Sequence, residues 1–185
     1  GAIEYEQVGV SHPVYTMFSS GTTGMPKAMQ QGFGVLVTHL KEHVLHHGMS
    51  PSDVYFQFTT TGWMMYNYKV SALATGATLV LYDGDPMTPR ASALWDVMEH
   101  SRTTVFGTSA RYLSAAAAAG LEPTKTHNLA LRMVQSTGSP ASGNIFEYVD
   151  QSVAPGAQYC SISGGTDLNG CFVCGNVTLP VTEGE

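Results

Sequence analysis

The stretch from Thr103 to Gly120, TTVFGTSARYLSAAAAAG, contains the strand-and-helix unit that decides the fold. Its first part, Thr103 to Phe106, is rich in β-branched and aromatic residues, which favours a strand. Its second part, Ser109 to Ala119, is an alanine-rich amphipathic stretch that favours a helix. Gly120 stands where a helix is expected to end. The stretch therefore predicts one strand followed directly by one helix.

Units of the same kind recur on both sides of this stretch. Further strand candidates are Val14 to Phe18, Val54 to Phe58, Thr78 to Tyr82, Leu131 to Gln135 and Gln158 to Ile162. Further helix candidates are Gly34 to His47, Asn67 to Ala74, Ala91 to His100 and Ser142 to Val153, with Gly48 as a second terminal glycine. Strands that alternate with helices of this length predict an α/β fold with a mainly parallel β-sheet flanked by helices.

Four polar, glycine-rich or hydroxyl-rich stretches come directly after predicted strands. They are Ser19 to Gly21, Thr59 to Trp63, Ser136 to Pro140 and Ser163 to Asp167. Parallel sheets bind ligands outside the carboxyl ends of their strands. We therefore expect all four stretches to meet at one edge of the sheet and to form a ligand site there.

Composition and charge exclude several classes of function. Charged residues make up 12% of the chain and its formal net charge is −6, with the basic residues scattered singly. Nucleic acids and acidic membrane surfaces are therefore poor candidate partners. No apolar run approaches the roughly 20 residues that span a bilayer, and we expect no signal peptide, because the first residues show no charged segment followed by an apolar one. We expect a cytoplasmic protein, since three cysteines do not make a disulfide framework.

Two groups of residues could suggest a metal site. Cys171 and Cys174 lie near Cys160, but a zinc site would need a fourth ligand, so thiols buried in strands are the favoured interpretation. Four histidines, His39, His43, His46 and His47, fall at helical spacing beside the apolar residues Leu36, Leu40 and Val44. Without a His-Glu-x-x-His pattern, we interpret them as a boundary stripe on an amphipathic helix.

The stretch from Ser19 to Lys27, SSGTTGMPK, has the chemistry of a phosphate-binding loop. Its glycines allow backbone N–H groups to approach phosphate oxygens, its hydroxyls can donate to the same oxygens, and Lys27 supplies a counter-charge. The spacing between Gly21, Gly24 and Lys27 is too short for a Walker A loop, and Ala28 stands where that loop needs Ser or Thr. The loop therefore predicts phosphate binding outside the P-loop class.

This loop resembles the signature loop of the acyl-adenylate-forming superfamily, which includes acyl-CoA synthetases, luciferases and peptide-synthetase adenylation domains. Four further stretches strengthen the resemblance and are most similar to members that activate acetoacetate. They are TTTGWMM at 59–65, VFGTSA at 105–110, STGSP at 136–140 and SISGGTD at 161–167. The resemblance extends over essentially the whole chain, and it implies that residues 1–185 are part of an N-terminal AMP-binding domain.

The resemblance implies roles for named residues. ATP would be bound by Ser19, Ser20, Gly21, Thr22, Thr23, Gly24, Lys27, Gly138, Ser139, Pro140, Ser163, Gly164, Gly165 and Thr166. Gly138 to Pro140 would lie along adenine, with an ordinary strand-to-helix turn as the alternative. Thr166 would be catalytic through contact with the α-phosphate, and Asp167 would bind Mg²⁺. Many members have Glu at that position, so the shorter Asp167 could coordinate Mg²⁺ through a water.

The acid substrate would lie against Trp63, Met64, Met65 and Gly164, although core packing is an open alternative for the two methionines. Acetyl-specific members have a tryptophan near the position of Gly164, so glycine is expected to leave room for a longer acyl group such as acetoacetyl. The implied small-molecule partners are acetoacetate, ATP and coenzyme A. The implied reaction forms acetoacetyl-AMP and then a thioester with coenzyme A.

The resemblance also implies parts that have no counterpart in the 185 residues. These are the ribose-binding acid, the hinge and the small C-terminal lid domain with its adenylation lysine. We expect the isolated chain to lack synthetase activity and to self-associate through apolar surface left uncovered. Two other functions stay open: a non-catalytic nucleotide-binding paralogue, and a synthetase for another short-chain acid such as acetate.

Overall fold

A computed structural model describes residues 2–19 and 24–183. Its central element is a five-stranded sheet of β3 (Val54–Gln57), β4 (Thr78–Leu79), β5 (Val105–Ser109), β6 (Met133–Thr137) and β7 (Gln158–Ser161). The strands lie in the order β4-β3-β5-β6-β7, and every neighbouring pair is parallel. The predicted α/β fold with a mainly parallel sheet is therefore confirmed.

Helices cover this sheet on both faces. They are α1 (Gly34–Lys41, continued by a π-helical turn at Glu42–His46), α2 (Met64–Ser71, continued by a 3₁₀ turn at Ala72–Thr75), α3 (Ala93–Ser101), α4 (Ala110–Ala118), α5 (Pro123–Thr126) and α6 (Gly143–Tyr148, continued by a π-helical turn at Val149–Val153). Gly48 and Gly120 have φ of +58° and +67°, the left-handed conformation of a helix end. Both predicted terminal glycines are thus confirmed.

Two apolar clusters form the core, one on each face of the sheet. Successive residues of a strand point to opposite faces, so Phe56 and Phe106 pack with α3 and α4 while Tyr55 and Val105 join the second cluster. Strands buried on both faces need continuous apolar runs. This requirement explains why the sequence identifies these strands clearly.

The first predicted strand is not part of this sheet. β1 (Pro13–Ser19) pairs antiparallel with β2 (Lys27–Gly32) in a separate hairpin. Val14 and Phe18 are exposed on β1, and Met17 is its buried residue. A strand with so much exposed surface suits a hairpin better than a parallel sheet that is covered on both faces. The prediction of a strand is correct, whereas its assignment to the parallel sheet is wrong.

A second antiparallel hairpin follows the last sheet strand. It consists of β8 (Ser163–Gly165) and β9 (Gly170–Val173). Cys160 is buried on β7, while Cys171 on β9 and Cys174 beyond it are half-buried free thiols. Within residues 2–19 and 24–183, no three His, Cys, Asp or Glu side chains lie close enough together to hold a metal ion. None of the described helices is long and apolar enough to cross a membrane.

Three of the four histidines of α1 and its π-helical turn are buried inside the protein instead of lying at the boundary. His39, His43 and His47 are fully buried, whereas Leu40 and Val44 are exposed. Hydrogen bonds explain this inversion: His39 contacts the Asn169 carbonyl and the Ser71 hydroxyl, and His43 Nε2 lies 2.9 Å from the Tyr68 carbonyl oxygen. The interpretation as a boundary stripe is therefore wrong for these three histidines, which form the buried face of the helix, whereas His46 is half-buried.

Burial also keeps these rings neutral. It lowers the pKa of His43 to about 4 and that of His47 to about 3, against an ordinary value of 6.5. The pKa of His39 is lowered for the same reason. An imidazole without a positive charge can be buried next to tyrosine rings at a much smaller cost than an imidazolium.

The amino ends of the sheet strands carry an ion pair and a hydroxyl group, and we call these three residues the amino edge: Asp53 before β3, Thr104 before β5 and Arg132 before β6. Arg132 Nε donates to Asp53 Oδ1 at 2.7 Å, and the Thr104 hydroxyl donates to the same oxygen at 2.8 Å. Burial by itself raises the pKa of Asp53, but hydrogen bonds from Arg132, Thr104 and Ser50 outweigh it and leave this pKa below its ordinary value.

Candidate functional site

The carboxyl ends of the strands open into a cleft of about 1200 Å³. Residues from all four predicted stretches line it: Ser19 from the first, Thr59 and Gly62 from the second, Gly138 from the third and Thr166 from the fourth. Three of these stretches follow β3, β6 and β7 of the sheet, and the fourth follows β1 of the separate hairpin. The carboxyl edge of the sheet therefore does bring the four stretches together, with the hairpin completing the wall.

The predicted phosphate loop connects the two strands of the first hairpin. Ser19 and Lys27 are partners across it, and the Ser19 hydroxyl accepts a long hydrogen bond of 3.4 Å from the Lys27 backbone N–H. Gly24 and Lys27 are exposed, and Pro26 lines the cleft. The predicted residues Ser20, Gly21, Thr22 and Thr23 lie outside the described residues.

Gln31 on β2 connects this hairpin to the last predicted stretch. Its Nε2 donates to the backbone carbonyl of Asp167 at 2.8 Å and to that of Thr166 at 3.2 Å. The far end of β2 is thereby held close to the Thr166-Asp167 pair. Sequence reasoning missed this residue because β2 itself, KAMQQG, shows no apolar strand pattern.

The turn after β6 presents a thin backbone surface to the cleft. Gly138 has φ of +82°, which a residue with a side chain rarely adopts. The Ser139 hydroxyl is buried and has no hydrogen-bond partner in the described part of the chain. Ser142 occupies the N-cap position of α6 without a side-chain cap bond, and Pro140 is exposed. The turn therefore does not use Ser139 as a helix cap.

Gly164 on β8 lines the cleft. The structure explains this glycine by the packing of β8 against β9, and not by room for a longer acyl group. A Cβ atom at Gly164 would overlap the backbone carbonyl oxygen of Gly170 on β9. The glycine is therefore required by the close approach of the two strands. A tryptophan side chain there would displace β9 before it filled the cleft.

Thr166 and Asp167 follow β8 at the mouth of the cleft. Thr166 lines the cleft and its hydroxyl has no hydrogen-bond partner among the described residues, whereas Ser163 is exposed. Asp167 is also exposed, and no described Lys, Arg or His pairs with its carboxylate. Mg²⁺ is usually held by one or two carboxylates together with substrate phosphates, so an unpaired Asp167 fits this role.

Trp63, Met64 and Met65 form the wall after β3. Trp63 is 66% exposed at the N-cap of α2, and the two methionines occupy its first turn. All three line the cleft, and neither methionine belongs to either core cluster. The alternative of core packing is therefore not supported for Met64 and Met65.

The central strand β5 and the helix α4 that follows it each add one group to the cleft that sequence reasoning missed. The Thr108 hydroxyl is buried without a partner among the described residues, and Arg111 on α4 is exposed at the cleft with no carboxylate paired to it there. The signal that could have identified Arg111 is its position within the first turn of a helix that follows a central strand.

Gln57, the last residue of β3, also lines the cleft and was missed. It is a polar residue in an otherwise apolar strand, which is the signal that could have revealed it. Its backbone carbonyl accepts a hydrogen bond of 3.4 Å from the Nζ of Lys69, which is buried. Burial lowers the pKa of Lys69.

Comparison with known proteins agrees with this geometry. The sequence profile described as "AMP-binding enzyme" matches residues 3–182. Curated acetoacetyl-CoA synthetases from Gallus gallus and Mus musculus are each 48% identical over 99% of this chain, and the chain covers 28% of each relative. The acetoacetyl-coenzyme A synthetase of Rhizobium meliloti is 48% identical over 100% of this chain and 29% of the relative.

A solved structure gives the same result in three dimensions. The acetoacetyl-CoA synthetase from Streptomyces lividans superposes with a TM-score of 0.92 at 45% identity, over 97% of this chain and 29% of that one. The chain thus spans less than a third of the length of these relatives. Because the family profile covers nearly all of its residues, the chain belongs to the AMP-binding enzyme family.

Proposed function

We propose that residues 1–185 belong to the AMP-binding domain of an acid–CoA ligase, and that acetoacetate is the acid. The observation that carries the proposal is the cleft, in which polar residues from four separate stretches face one space and the Ser139 hydroxyl is buried without a partner among the described residues. The names of the similar relatives support acetoacetate as the substrate.

ATP would bind along the part of the cleft between the first hairpin and the turn after β6. We assign the phosphates to Ser19, Ser20, Gly21, Thr22, Thr23, Gly24 and Lys27. Adenine would pack on the turn of Gly138, Ser139 and Pro140, and its side nearest β8 would meet Ser163, Gly164 and Gly165. The positive φ of Gly138 supports this assignment, because it leaves backbone and no side chain against a flat base.

Thr166 is the residue that we assign to catalysis. In the first step a carboxylate oxygen of acetoacetate attacks the α-phosphorus of ATP, and the bond from that phosphorus to pyrophosphate breaks. Negative charge grows on the α-phosphate oxygens, and a hydroxyl donor held at that point stabilises it. Thr166 suits this role because its hydroxyl is at the cleft and Gln31 holds its backbone.

Mg²⁺, held by Asp167, would supply positive charge to the phosphates of ATP and to the leaving pyrophosphate. In the second step the sulfur of coenzyme A attacks the acyl carbon of acetoacetyl-AMP, the bond to AMP breaks, and the thiol proton is released. The acid would lie against Trp63, Met64, Met65 and Gly164 during both steps. An apolar aromatic and thioether wall suits a short, partly apolar acid.

A chimera tests the proposal. This chain would replace the matching 29% of the Rhizobium meliloti synthetase, and pyrophosphate exchange into ATP would be measured with acetoacetate, acetate, butyrate and propionate. We expect the highest kcat/KM with acetoacetate. A higher kcat/KM with another acid would identify that acid as the substrate instead of acetoacetate. A folded chimera without exchange for any acid would favour a non-catalytic nucleotide-binding role.

Self-association is a separate proposal about the isolated chain. Large apolar side chains are exposed on α1, among them Val37, Leu40 and Leu45. Exposed apolar surface of this kind favours contact between copies. Light scattering after size exclusion should give a mass above the 19.7 kDa of one chain, and Leu45→Lys should shift it towards the monomer. A wild-type mass that stays at 19.7 kDa at every loading concentration would contradict this expectation.

A further inference from the structure

Gln57 is buried and yet only half of its amide is paired. The side chain is 2% exposed and lines the cleft. Its Oε1 accepts a hydrogen bond of 2.9 Å from the Tyr55 hydroxyl, whereas its Nε2 has no acceptor among the described residues. Because Gln57 lines the cleft, a ligand bound there can accept a hydrogen bond from this amide nitrogen.

Tyr55 determines which way this amide points. Its phenol is fully buried, and burial holds its pKa above the ordinary value of 10, so the hydroxyl keeps its proton. In the structure this hydroxyl donates to Oε1 of Gln57 at 2.9 Å and lies 3.5 Å from Oε1 of Gln135, so Oε1 of Gln57 faces Tyr55. The two N–H donors of Nε2 consequently lie on the other side of the amide.

Gly107 provides the space in which the amide lies. It is the partner of Gln57 in the register between β3 and β5. A Cβ atom at this position would overlap Oε1 and would lie only 2.6 Å from Cδ of Gln57. The carboxamide is thus pressed against the backbone of the central strand and has little freedom to turn away.

The neighbouring walls of the cleft are mostly apolar. Phe58, Met64, Met65 and Ile162 line it together with Gln57. Among such side chains, an oriented N–H donor favours a ligand that has an acceptor oxygen and otherwise little polarity. Acetoacetate fits this description, because the oxygen on its third carbon accepts hydrogen bonds and butyrate lacks it.

We propose that Nε2 of Gln57 donates a hydrogen bond to the 3-oxo oxygen of the acyl group, and that this contact selects 3-oxo acids over saturated acids of the same length. The proposal rests on the proposed function and names the group that determines its specificity. A saturated chain would bury the donor without a partner, which is the stronger part of the discrimination.

The test compares two stable mimics of the acyl-adenylate, the 5′-O-(N-acylsulfamoyl)adenosines that carry an acetoacetyl or a butyryl group. Their binding to the Rhizobium meliloti chimera that carries this chain is measured by titration calorimetry, and wild type denotes the chimera without further substitution. Wild type should bind the acetoacetyl compound about tenfold more tightly, the effect of one neutral hydrogen bond. Gln57→Leu should reduce this ratio to below about twofold, chiefly by weakening the acetoacetyl compound.

Two further variants make the result specific. Gln135→Leu removes another buried amide, which lies 3.5 Å from the same Tyr55 hydroxyl but does not line the cleft, and should keep the tenfold ratio. Tyr55→Phe removes the hydrogen bond that orients Gln57 and should give an intermediate ratio. If Gln57→Leu does not fold, Gln57→Met replaces it, because it has a similar length and no donor.

The outcomes separate the inference from the proposed function. A ratio that stays near tenfold in folded Gln57→Leu would overturn the inference and leave the proposed function standing. Equal binding of the two compounds by wild type would do the same. If wild type binds neither compound, the proposed function fails, and the inference fails with it.

Discussion

The amino and carboxyl edges of the parallel sheet differ in whether their polar side chains have hydrogen-bond partners within the described residues. At the amino edge, both carboxylate oxygens of Asp53 accept hydrogen bonds, and Arg132 also donates to the backbone carbonyls of His47 and Gly48. At the carboxyl edge, the hydroxyls of Thr108 and Ser139 are buried without a partner among the described residues.

The difference indicates what each edge contributes. In a cluster whose charges are satisfied within the fold, loss of one partner lowers stability because the other charge is left buried. Polar groups without partners cost stability unless a ligand completes them. Substitutions at the two edges should therefore separate chemistry from folding.

The largest expected effect is on chemistry at the carboxyl edge. In the Rhizobium meliloti chimera, Thr166→Val should lower the rate of pyrophosphate exchange by about 10²- to 10³-fold, because a donor to developing charge is lost. The free energy of unfolding should change little. Thr78→Val, at an exposed position of β4, is the matched control. A loss below threefold would show that the Thr166 hydroxyl has no role in the reaction.

The next effect is on stability at the amino edge. Arg132→Met should lower the free energy of unfolding of the chain by about 2 kcal/mol, since Asp53 loses its cation while the exposed part of Arg132 limits the cost. Urea unfolding measures this change. Arg90→Met removes the exposed pair with Asp96 and should cost less than about 1 kcal/mol. Equal losses of unfolding free energy in Arg132→Met and Arg90→Met would contradict the distinction between the amino-edge ion pair and the exposed one.

A pH scan tests the buried histidine next to the amino edge. His47 titrates near pH 6.5 in the unfolded chain and at about 3 in the folded one. The unfolded state therefore binds more protons between these values, and stability falls as pH decreases from 6.5. His47→Phe should remove about 2 kcal/mol of the fall between pH 7 and pH 5. Exposed His12→Phe should leave the profile unchanged, and an unchanged profile for His47→Phe would contradict this account.

The smallest effect concerns the contact between the first hairpin and β8. Gln31→Leu removes two hydrogen bonds to backbone carbonyls and should lower the free energy of unfolding by about 1 kcal/mol. It should also weaken binding of the acetoacetyl sulfamoyl compound, because the Thr166 loop is no longer held. Gln30→Leu, one position away and exposed, is the control. Equal affinities of Gln31→Leu and Gln30→Leu for the acetoacetyl sulfamoyl compound would show that the first hairpin does not influence the Thr166 loop.

The sequence predicts the parallel sheet well because its strands are continuous apolar runs, as in Val105 and Phe106 of β5. It fails for β2 and β8, KAMQQG and SGG, since neither has an apolar period. Those strands are held by partners that lie across a turn, and Gln31 and Gly164 acquire their roles only through contacts distant in sequence.

The histidines illustrate the same limit at the level of side chains. A helical wheel assigns His43 to a boundary, because it cannot include the carbonyl of Tyr68 that accepts its hydrogen bond. Within the candidate site, the motif residues Gly138 and Thr166 were predicted from their resemblance to a family. Gln57 was missed, because its role in the cleft depends on contacts with Tyr55 and Gly107 that only the folded structure shows.

The most direct test of the contrast between the edges is an amide NMR spectrum of the 185-residue chain with and without the acetoacetyl sulfamoyl compound. We predict shifted signals for Ser19, Gly138 and the Gly164 to Thr166 segment, and unchanged signals for Asp53, Thr104 and Arg132. Shifts centred on the amino edge, with an unchanged carboxyl edge, would contradict the account.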